Sequence, residues 1–565
     1  LYKLNKKKLS CRKVQCFSKW IRIITLILTV WMFILQCAPP TARHPGYPAR
    51  KGKEPIIKVG LVWGLESQIF SVEKSFQITN EDGSFIARKV TGKKWRAQIV
   101  RSNAGTTKYQ LVAASMSTET KAKVMRAQLL KQGFETTIVP FGQIVRVGSK
   151  IIRDTRTFRL VLNQSFHSYN DAQHYKNKIW NKLETFIIQE NTQNSRGVIR
   201  LTNLENGQQF ESSQPILIHG TKVTLHMVQV GKEFHWAQNE TRRYPETICF
   251  DLDSKGKLSV INILPLEEYL KGVIPSEMHY KFPKEALKAQ AVAARSEVLA
   301  KWGLSHTSDP FDVCADVHCQ VYSGLSKQTK ETSKAVNETR GIVLYQNGNV
   351  CNAVYSAVCG GHGEDNQHAW GGEARDYLQG GFDGPSSLKR FGSLKNEQHV
   401  QKWIDANPPA YCNFNIRKTP EGLSYTKRYF RWQVKISQED LKKSLRKRLG
   451  INLGNILELK PVSRGSSGRI TKLKVIGTKG EEIINTELNI RKGLSESTLW
   501  SSCFYVKITR RKGNIPNTFI LKGAGFGHGV GMCQTGAAQM ALKGKRFDTI
   551  LKHYYHKIQI QRLYR

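Results

Sequence analysis

A chain of 565 residues, 40% of them hydrophobic, has enough apolar material for roughly three or four domains, and its 11 scattered cysteines exclude a small disulfide-stapled scaffold. Lys plus Arg number 87 against 44 Asp plus Glu, a formal charge of +43 spread along the whole chain. That surplus suits polyanionic partners (acidic wall polymers, phospholipid surfaces or nucleic acid) or reflects no more than a generally basic proteome. No zinc-finger, RNA-recognition or P-loop pattern singles out nucleic acid.

Residues 1–38 read as a targeting segment. Eight basic residues from Lys3 to Arg22 precede an uncharged apolar run, Ile23 to Leu35. The run is short for a membrane span and suits a secretory signal. Cys37, in LQCAPP, resembles the attachment cysteine of bacterial lipoproteins, with Gln36 where a small residue is usual. Lipidation, cleavage without lipid and an uncleaved anchor all stay open. Each puts the remainder outside the cytoplasm, in a periplasmic or extracytoplasmic envelope location. Residues 39–55, rich in Pro, Gly and Lys, form a linker.

The fold class expected is α+β and multidomain: N-terminal β-rich and ferredoxin-like segments, then a mixed α+β catalytic domain. Residues 56–106 alternate in short runs, with a hairpin turn at Asp82-Gly83. Residues 107–191 read βαββαβ, the order of a small ferredoxin-like sheet. Over YQLVAASMSTETKAKVMRAQLLKQGFETTIV this segment resembles the SPOR domains that bind bacterial septal glycan. Residues 192–258 return to short strands. Residues 259–565 hold the chemistry, apart from a polar, Lys-rich insertion near 381–517 with few catalytic signals.

Within that last region a helix is expected between Pro283 and Gly303, rich in alanine and so able to lie close to its neighbours. Lys288 and Arg295 are seven residues apart and share a face, directed either to solvent or into an anion- or sugar-binding cleft. The preceding IPSEMH reads as a loop. Its Glu277 is either solvated or, held among Pro275 and Met278, raised in pKa and suited to general-acid work. Cys314, His318 and Cys319, with His306 upstream, make a tetrahedral two-thiolate, two-imidazole set; a Cys314–Cys319 disulfide is the alternative. VYSAVCGGHGEDNQHAWGG offers Tyr355, Ser356, His362 and Trp370, and its Cys359 either pairs with Cys351 or stays reduced. In GAGFGHGVGMCQ, glycine at every second position from Gly523 to Gly531 reads as a strand with one bare face. The spacing fails the dinucleotide-binding pattern.

Four stretches in order, LPLEEYLKGVIPSEMHYKFPKEALKAQAVAARS, FDVCADVHCQVYSG, AVYSAVCGGHGED and GFGHGVGMCQTGAAQMALKGKRFDTILKHYYHKI, resemble the stage II sporulation protein D (amidase-enhancer) family. The resemblance implies a secreted peptidoglycan lytic transglycosylase. It would cleave glycan strands lacking stem peptides and leave 1,6-anhydro-muramic acid ends, in wall remodelling or division. By the same resemblance Glu277 is the catalytic acid and Arg295 an arginine needed for activity. Lys288, Tyr355, Ser356, His362, His528 and Gln534 would bind substrate, and His306, Cys314, His318 and Cys319 would hold a structural zinc. A second acid at Glu267, Glu268 or Glu285 stays open. The glycine stretch would border the cleft, with sugar or the Ala-rich helix against its bare face. The implied partners are peptidoglycan glycan strands, a wall amidase and the membrane through the N-terminal segment, with no nucleic acid. The competing readings are a non-catalytic enhancer of a wall amidase and a glycan-binding envelope protein.

Overall fold

The computed structural model describes residues 54–565 except 180, 181, 184, 232–237, 372, 417 and 511–513. The expected targeting segment lies outside the described residues. No helix among the described residues is long and apolar enough to cross a membrane.

The short alternating runs on either side of the expected ferredoxin-like segment build two sheets together. One has seven strands in the order Val313–Cys314, Ile56–Leu65, Leu258–Pro265, Thr247–Leu252, Ile216–His219, Phe76–Asn80 and Phe85–Val90. The other has six: Gln209–Ser212, Arg196–Asn203, Lys94–Asn103, Ser67–Val72, Val223–Val230 and Gln238–Tyr244. Alternation dictates the layering. In Lys94–Asn103, Trp95 and Ala97 point inward while Lys94 and Arg96 face water. Phe70 meets Phe250 across the two sheets at 5.1 Å, and Phe76 meets Trp95 edge-on at 5.5 Å. Leu258–Pro265 breaks the alternation: its first seven residues are all buried. Such a run marks a strand covered on both faces.

Between the paired strands Lys94–Asn103 and Arg196–Asn203 the chain departs into an antiparallel four-stranded sheet. Its order is Phe186–Gln193, Thr106–Met116, Thr157–Phe166, Thr136–Phe141, and helices Glu119–Lys131 and Tyr169–Ile179 complete the expected βαββαβ sequence. The helices bury Ala122, Leu129, Ala172 and Ile179. Not expected was a hairpin, Ile144–Val147 with Lys150–Asp154, in the link between the second and third strands. Its Arg153 is buried and donates to the carbonyls of Ala300 (2.6 Å) and Trp302. A cation there complements the C-terminal end of the helix that finishes at Lys301.

That helix, Lys284–Lys301, is the axis of the C-terminal region. Pro283 caps it, and Gly303 follows at φ +70°, as the punctuation of the sequence implied. Fourteen of its 18 residues are buried. It is enclosed although it buries Gln290, Arg295, Ser296 and Glu297 as well as its apolar residues, and its alanines let the helices Leu266–Glu277, Lys330–Glu338, Gln534–Leu542 and Phe547–Tyr554 pack onto it. The inserted region forms its own core from Trp432, Leu441, Leu445, Ile456, Leu473, Val475, Phe504 and Phe519, under two three-stranded sheets.

Candidate functional site

The buried strand Leu258–Pro265 runs directly into helix Leu266–Glu277 and so delivers Glu277 at that helix's last position. The loop expected at IPSEMH is therefore helical as far as Glu277. Pro275 lacks only the N–H that would have reached back to the preceding turn, and the Met278 N–H closes the end on Ile274 O at 2.9 Å.

Glu277 is half-buried, and its Oε1 accepts the Val321 N–H at 3.0 Å. Loss of water raises its pKa to about 7; the Val321 N–H opposes this and the charge of Glu297 adds to it. Glu297 itself is committed, with Oε1 on Lys301 Nζ at 2.6 Å and Oε2 on Gln320 Nε2 at 2.9 Å. Sequence reasoning missed Glu297 because it sits inside an alanine-rich helix with no local mark of its role.

The third and fourth motifs meet in a two-stranded parallel pairing, Tyr355 with Met532 and Ser356 with Cys533. The Tyr355 phenol is raised well above its ordinary value, first by burial and then by the charges of Glu277 and Glu297, so it lies within electrostatic reach of the acid. Among the described residues, neither the Tyr355 hydroxyl nor the Ser356 Oγ finds a hydrogen-bond partner, although both atoms are buried. Such atoms normally find one. His528 lies tilted at 55° against Trp370, centroids 4.9 Å apart, with the Trp370 ring half exposed, and burial pushes the imidazole down to about 3, so it is neutral near pH 7.

Other expected site residues lie elsewhere. Arg295 is fully buried and bidentate to Glu267, Nε to Oε1 at 2.9 Å and Nη2 to Oε2 at 2.7 Å, with Nη1 on Ile342 O. Tyr564 Oη also donates to Glu267 Oε1, at 2.6 Å. The shared helix face of Lys288 and Arg295 thus lines neither cleft nor solvent: Lys288 pairs with Glu285 at 2.9 Å and Glu338 at 2.7 Å. These contacts occupy Glu267 and Glu285, and Glu268 pairs with Lys271 at 2.5 Å. Gln534 donates to Gln290 Oε1 at 3.3 Å on the central helix, and His362 is buried against Gly363 and Phe382.

The expected metal set does converge. Ligand atoms of His306, Cys314, His318 and Cys319 all lie within 4.8 Å of one another. Cys319 Sγ is 3.4 Å from His306 Nε2 and 3.5 Å from His318 Nδ1, and Cys314 Sγ is 3.9 Å from His318 Nδ1. Tetrahedral zinc with ordinary bond lengths requires ligand–ligand edges of about 3.3–3.8 Å. Asp309 Oδ2 holds His306 Nδ1 at 2.8 Å, which turns Nε2 toward the sulfurs. Both cysteines are free thiols, and Cys314 docks on the edge of the large sheet opposite Gly60. These four residues can hold a metal.

The glycine stretch is not a strand. Gly525, Gly527, Gly529 and Gly531 all have positive φ, so the chain coils there, and each glycine faces protein. A Cβ on Gly529 would lie 2.4 Å from Arg469 Cζ, and one on Gly531 would lie 2.0 Å from Val354 O. The occupant of the bare backbone is therefore this chain's own Arg469 and the Val354–Cys359 segment, in place of sugar or the Ala-rich helix. Arg469 belongs to the insertion, and its Nη2 reaches both Cys359 O and Gly527 O. Glu364 anchors the same loop. Burial favours its neutral form, but donors on His368 and Ser467 and the charge of Arg469 outweigh that and pull it to about 2. The insertion, read as poor in signals, thus braces both motifs. A depression of about 480 Å³ in the insertion, lined by Asp405, Arg431, Trp432 and Lys522 among others, does not include Glu277.

The residues that build this acid, the Cys/His set and the start of the central helix fall in a stretch that matches known proteins. The chain belongs to the stage II sporulation protein family, whose pattern matches residues 254–345. Residues 364–531 match a domain of unknown function, DUF8618. The chain is 32% identical over 301 residues to an uncharacterized protein of Brachyspira hyodysenteriae, covering 53% of this chain and 68% of that one. It is 29% identical to the amidase enhancer of Bacillus subtilis, covering 51% of this chain and 39% of that one. With the stage II sporulation protein D of Bacillus amyloliquefaciens it shares 27% identity, over 54% of this chain and 75% of the relative.

Proposed function

We propose that this protein is an envelope enzyme that cleaves peptidoglycan glycan strands stripped of stem peptides, as a lytic transglycosylase with Glu277 as its acid. The carrying observation is a single half-buried carboxyl at the end of helix Leu266–Glu277, held by the Val321 N–H and raised to about 7 by loss of water. A hydrolase normally needs a second carboxylate to activate water. Here the nearby Glu297 is tied to Lys301 and Gln320. One carboxyl suffices when the nucleophile is internal. Glu277 gives its proton to the glycosidic oxygen as that bond to C1 breaks. The muramic acid C6 hydroxyl then bonds to C1, and its proton passes to the Glu277 carboxylate, closing the anhydro ring and resetting the acid. Positioning that hydroxyl replaces activation of water. Tyr355 and Ser356 are suited to hydrogen-bond the sugar, and neutral His528 beside Trp370 to border it. Digestion of amidase-treated peptidoglycan, with mass analysis of the products, should show anhydro-muramic ends. Fragments with reducing ends only would overturn the reading. The name of the Bacillus subtilis relative favours a second one, amidase enhancement; faster amidase action without any glycan cleavage would select it.

Zinc is the metal we assign to His306, Cys314, His318 and Cys319. The donor set is closed, so the ion would tie the segment before Val321, the residue that holds Glu277, to the sheet edge. Protein purified without chelator should lose one zinc equivalent on His318→Ala/Cys319→Ser substitution. An unchanged zinc content would refute this.

The βαββαβ module, by its SPOR likeness, would hold denuded glycan near Glu277 and raise the effective concentration of substrate. Removing residues 104–195 should weaken binding to sacculi and leave cleavage of short soluble glycan unchanged. Equal binding with and without the module would reduce it to a spacer.

A further inference from the structure

We propose a second metal site, a buried tetrahedral centre for one divalent ion of zinc type, built by Cys359, Asp383, Cys412 and Cys533. Four widely separated stretches bring these side chains together, with their ligand atoms within 4.8 Å of one another. All four are at most 4% exposed. Cys359 Sγ lies 3.6 Å from Cys412 Sγ and 3.2 Å from Asp383 Oδ2. A zinc centre of three thiolates and one carboxylate has edges of about 3.4–3.8 Å, whereas a disulfide requires about 2.05 Å. Of the two readings of Cys359, paired with Cys351 or reduced, the structure shows the reduced one: Cys359 faces Cys412 and Cys533.

The surroundings are those of a ligand shell. Cys533 Sγ accepts the Cys359 N–H at 3.2 Å and the Gly536 N–H at 3.4 Å, and Cys359 Sγ accepts the Gly361 N–H at 3.3 Å. Backbone N–H groups aimed at sulfur favour thiolate over thiol. Asp383 Oδ1 is held by His553 Nε2 and Tyr554 Oη, each at 3.1 Å, which leaves Oδ2 turned toward the sulfurs. Space is exhausted around it: a Cβ at Gly536 would lie 2.5 Å from Asp383 Oδ2. A carboxylate buried with three sulfurs needs a cation to balance it. Four protein ligands and full burial make the centre structural, closed to substrate.

Its position gives it a task distinct from the Cys/His set. Cys533 is the strand partner of Ser356, next to the Tyr355–Met532 pair. Asp383 and Cys412 come from the matched insertion. The ion would fasten the insertion to the platform that presents Tyr355 and Ser356.

The test is a metal count on the full chain, purified reduced and without chelator, by native mass spectrometry with elemental analysis. Two ions per chain are expected, one surviving His318→Ala/Cys319→Ser and one lost in Cys533→Ser. Should a single ion be found, its loss in Cys533→Ser and survival in His318→Ala/Cys319→Ser upholds the centre; the reverse overturns it. If Cys533→Ser does not fold, X-ray absorption on the wild type decides. An average above two sulfurs per metal supports the three-thiolate centre, and an average of two overturns it. A Cys359–Cys412 disulfide in the peptide map of the native protein also overturns it.

Discussion

Glu277→Gln should abolish glycan cleavage, by at least about a hundredfold, while the protein folds and binds glycan as before. The amide keeps an oxygen to accept the Val321 N–H, which donates to Glu277 Oε1 at 3.0 Å in the native site, and loses only the transferable proton. Stability should not suffer. The folded carboxyl titrates near 7, above its ordinary 4.5, so the folded state holds more protons than the unfolded state between those values. Stability from this group is therefore present at low pH and lost as pH rises through about 7. Above that, the native protein carries the cost of a buried charge that the amide removes. A thermal scan at pH 8 should place the variant level with, or above, the wild type. Cleavage by the native enzyme should decline above pH about 7, as the acid loses its proton. Glu297→Gln should move that decline to lower pH, since the charge of Glu297 helps to raise Glu277. Native-level cleavage by Glu277→Gln, or a pH limb unmoved by Glu297→Gln, would remove Glu277 from its role.

Arg295→Met should be the most destabilising single substitution considered, at about 3–5 kcal/mol, because it strands the Glu267 carboxylate in the core. Glu267 keeps Tyr564 and the Gly341 N–H at 3.2 Å as donors but loses its only buried cation. The partner change Glu267→Gln should cost a similar amount, and the double variant Glu267→Leu/Arg295→Met should recover much of the loss, since an apolar pair replaces a desolvated ionic one. Denaturant midpoints for the four proteins read this directly. The arginine implicated by family resemblance then affects activity through the fold: its side chain holds the helix bearing Glu277 against the central helix. A stable Arg295→Met protein with no activity would return Arg295 to the reacting centre.

Local chemistry was legible, and chemistry assembled over distance was not. The apolar neighbours of Glu277 allowed a raised carboxyl beside a solvated one, and the short spacing from His306 to Cys319 allowed a metal set beside a disulfide; the structure selects the first of each. Period-two and period-3.6 patterns announced the βαββαβ module, because each depends on a few adjacent residues. The shared face of Lys288 and Arg295 was read correctly as geometry and wrongly as exposure, since its ion-pair partners Glu267 and Glu338 lie on other helices. Alternating glycines were taken for a strand. Four positive φ values in nine residues are equally compatible with that spacing, and only the positions of Arg469 and the Val354–Cys359 segment explain them. Cys412 gave no signal at all, its fellow ligands being scattered over the third motif, the insertion and the fourth motif.

Asn103 and Arg196 face each other as directly paired residues at the ends of two neighbouring strands; the βαββαβ module leaves and returns through that pair, and its hairpin Ile144–Val147/Lys150–Asp154 docks on the C-terminal region. The module is thus a lateral graft on a β-hairpin, and the sheet beneath it does not need the module to stay in register. A two-residue Asn-Gly turn joining Asn103 to Arg196 would close the hairpin in the manner short antiparallel pairs prefer. The excision deprives the carbonyls of Ala300 and Trp302 of Arg153, Arg562 O of Lys150 and the Tyr345 hydroxyl of Ile151 O, and takes Val147 and Ile152 from the core beneath. The same architecture makes the site a socket, where a different module whose termini meet at strand spacing could be seated on the same pair of strands.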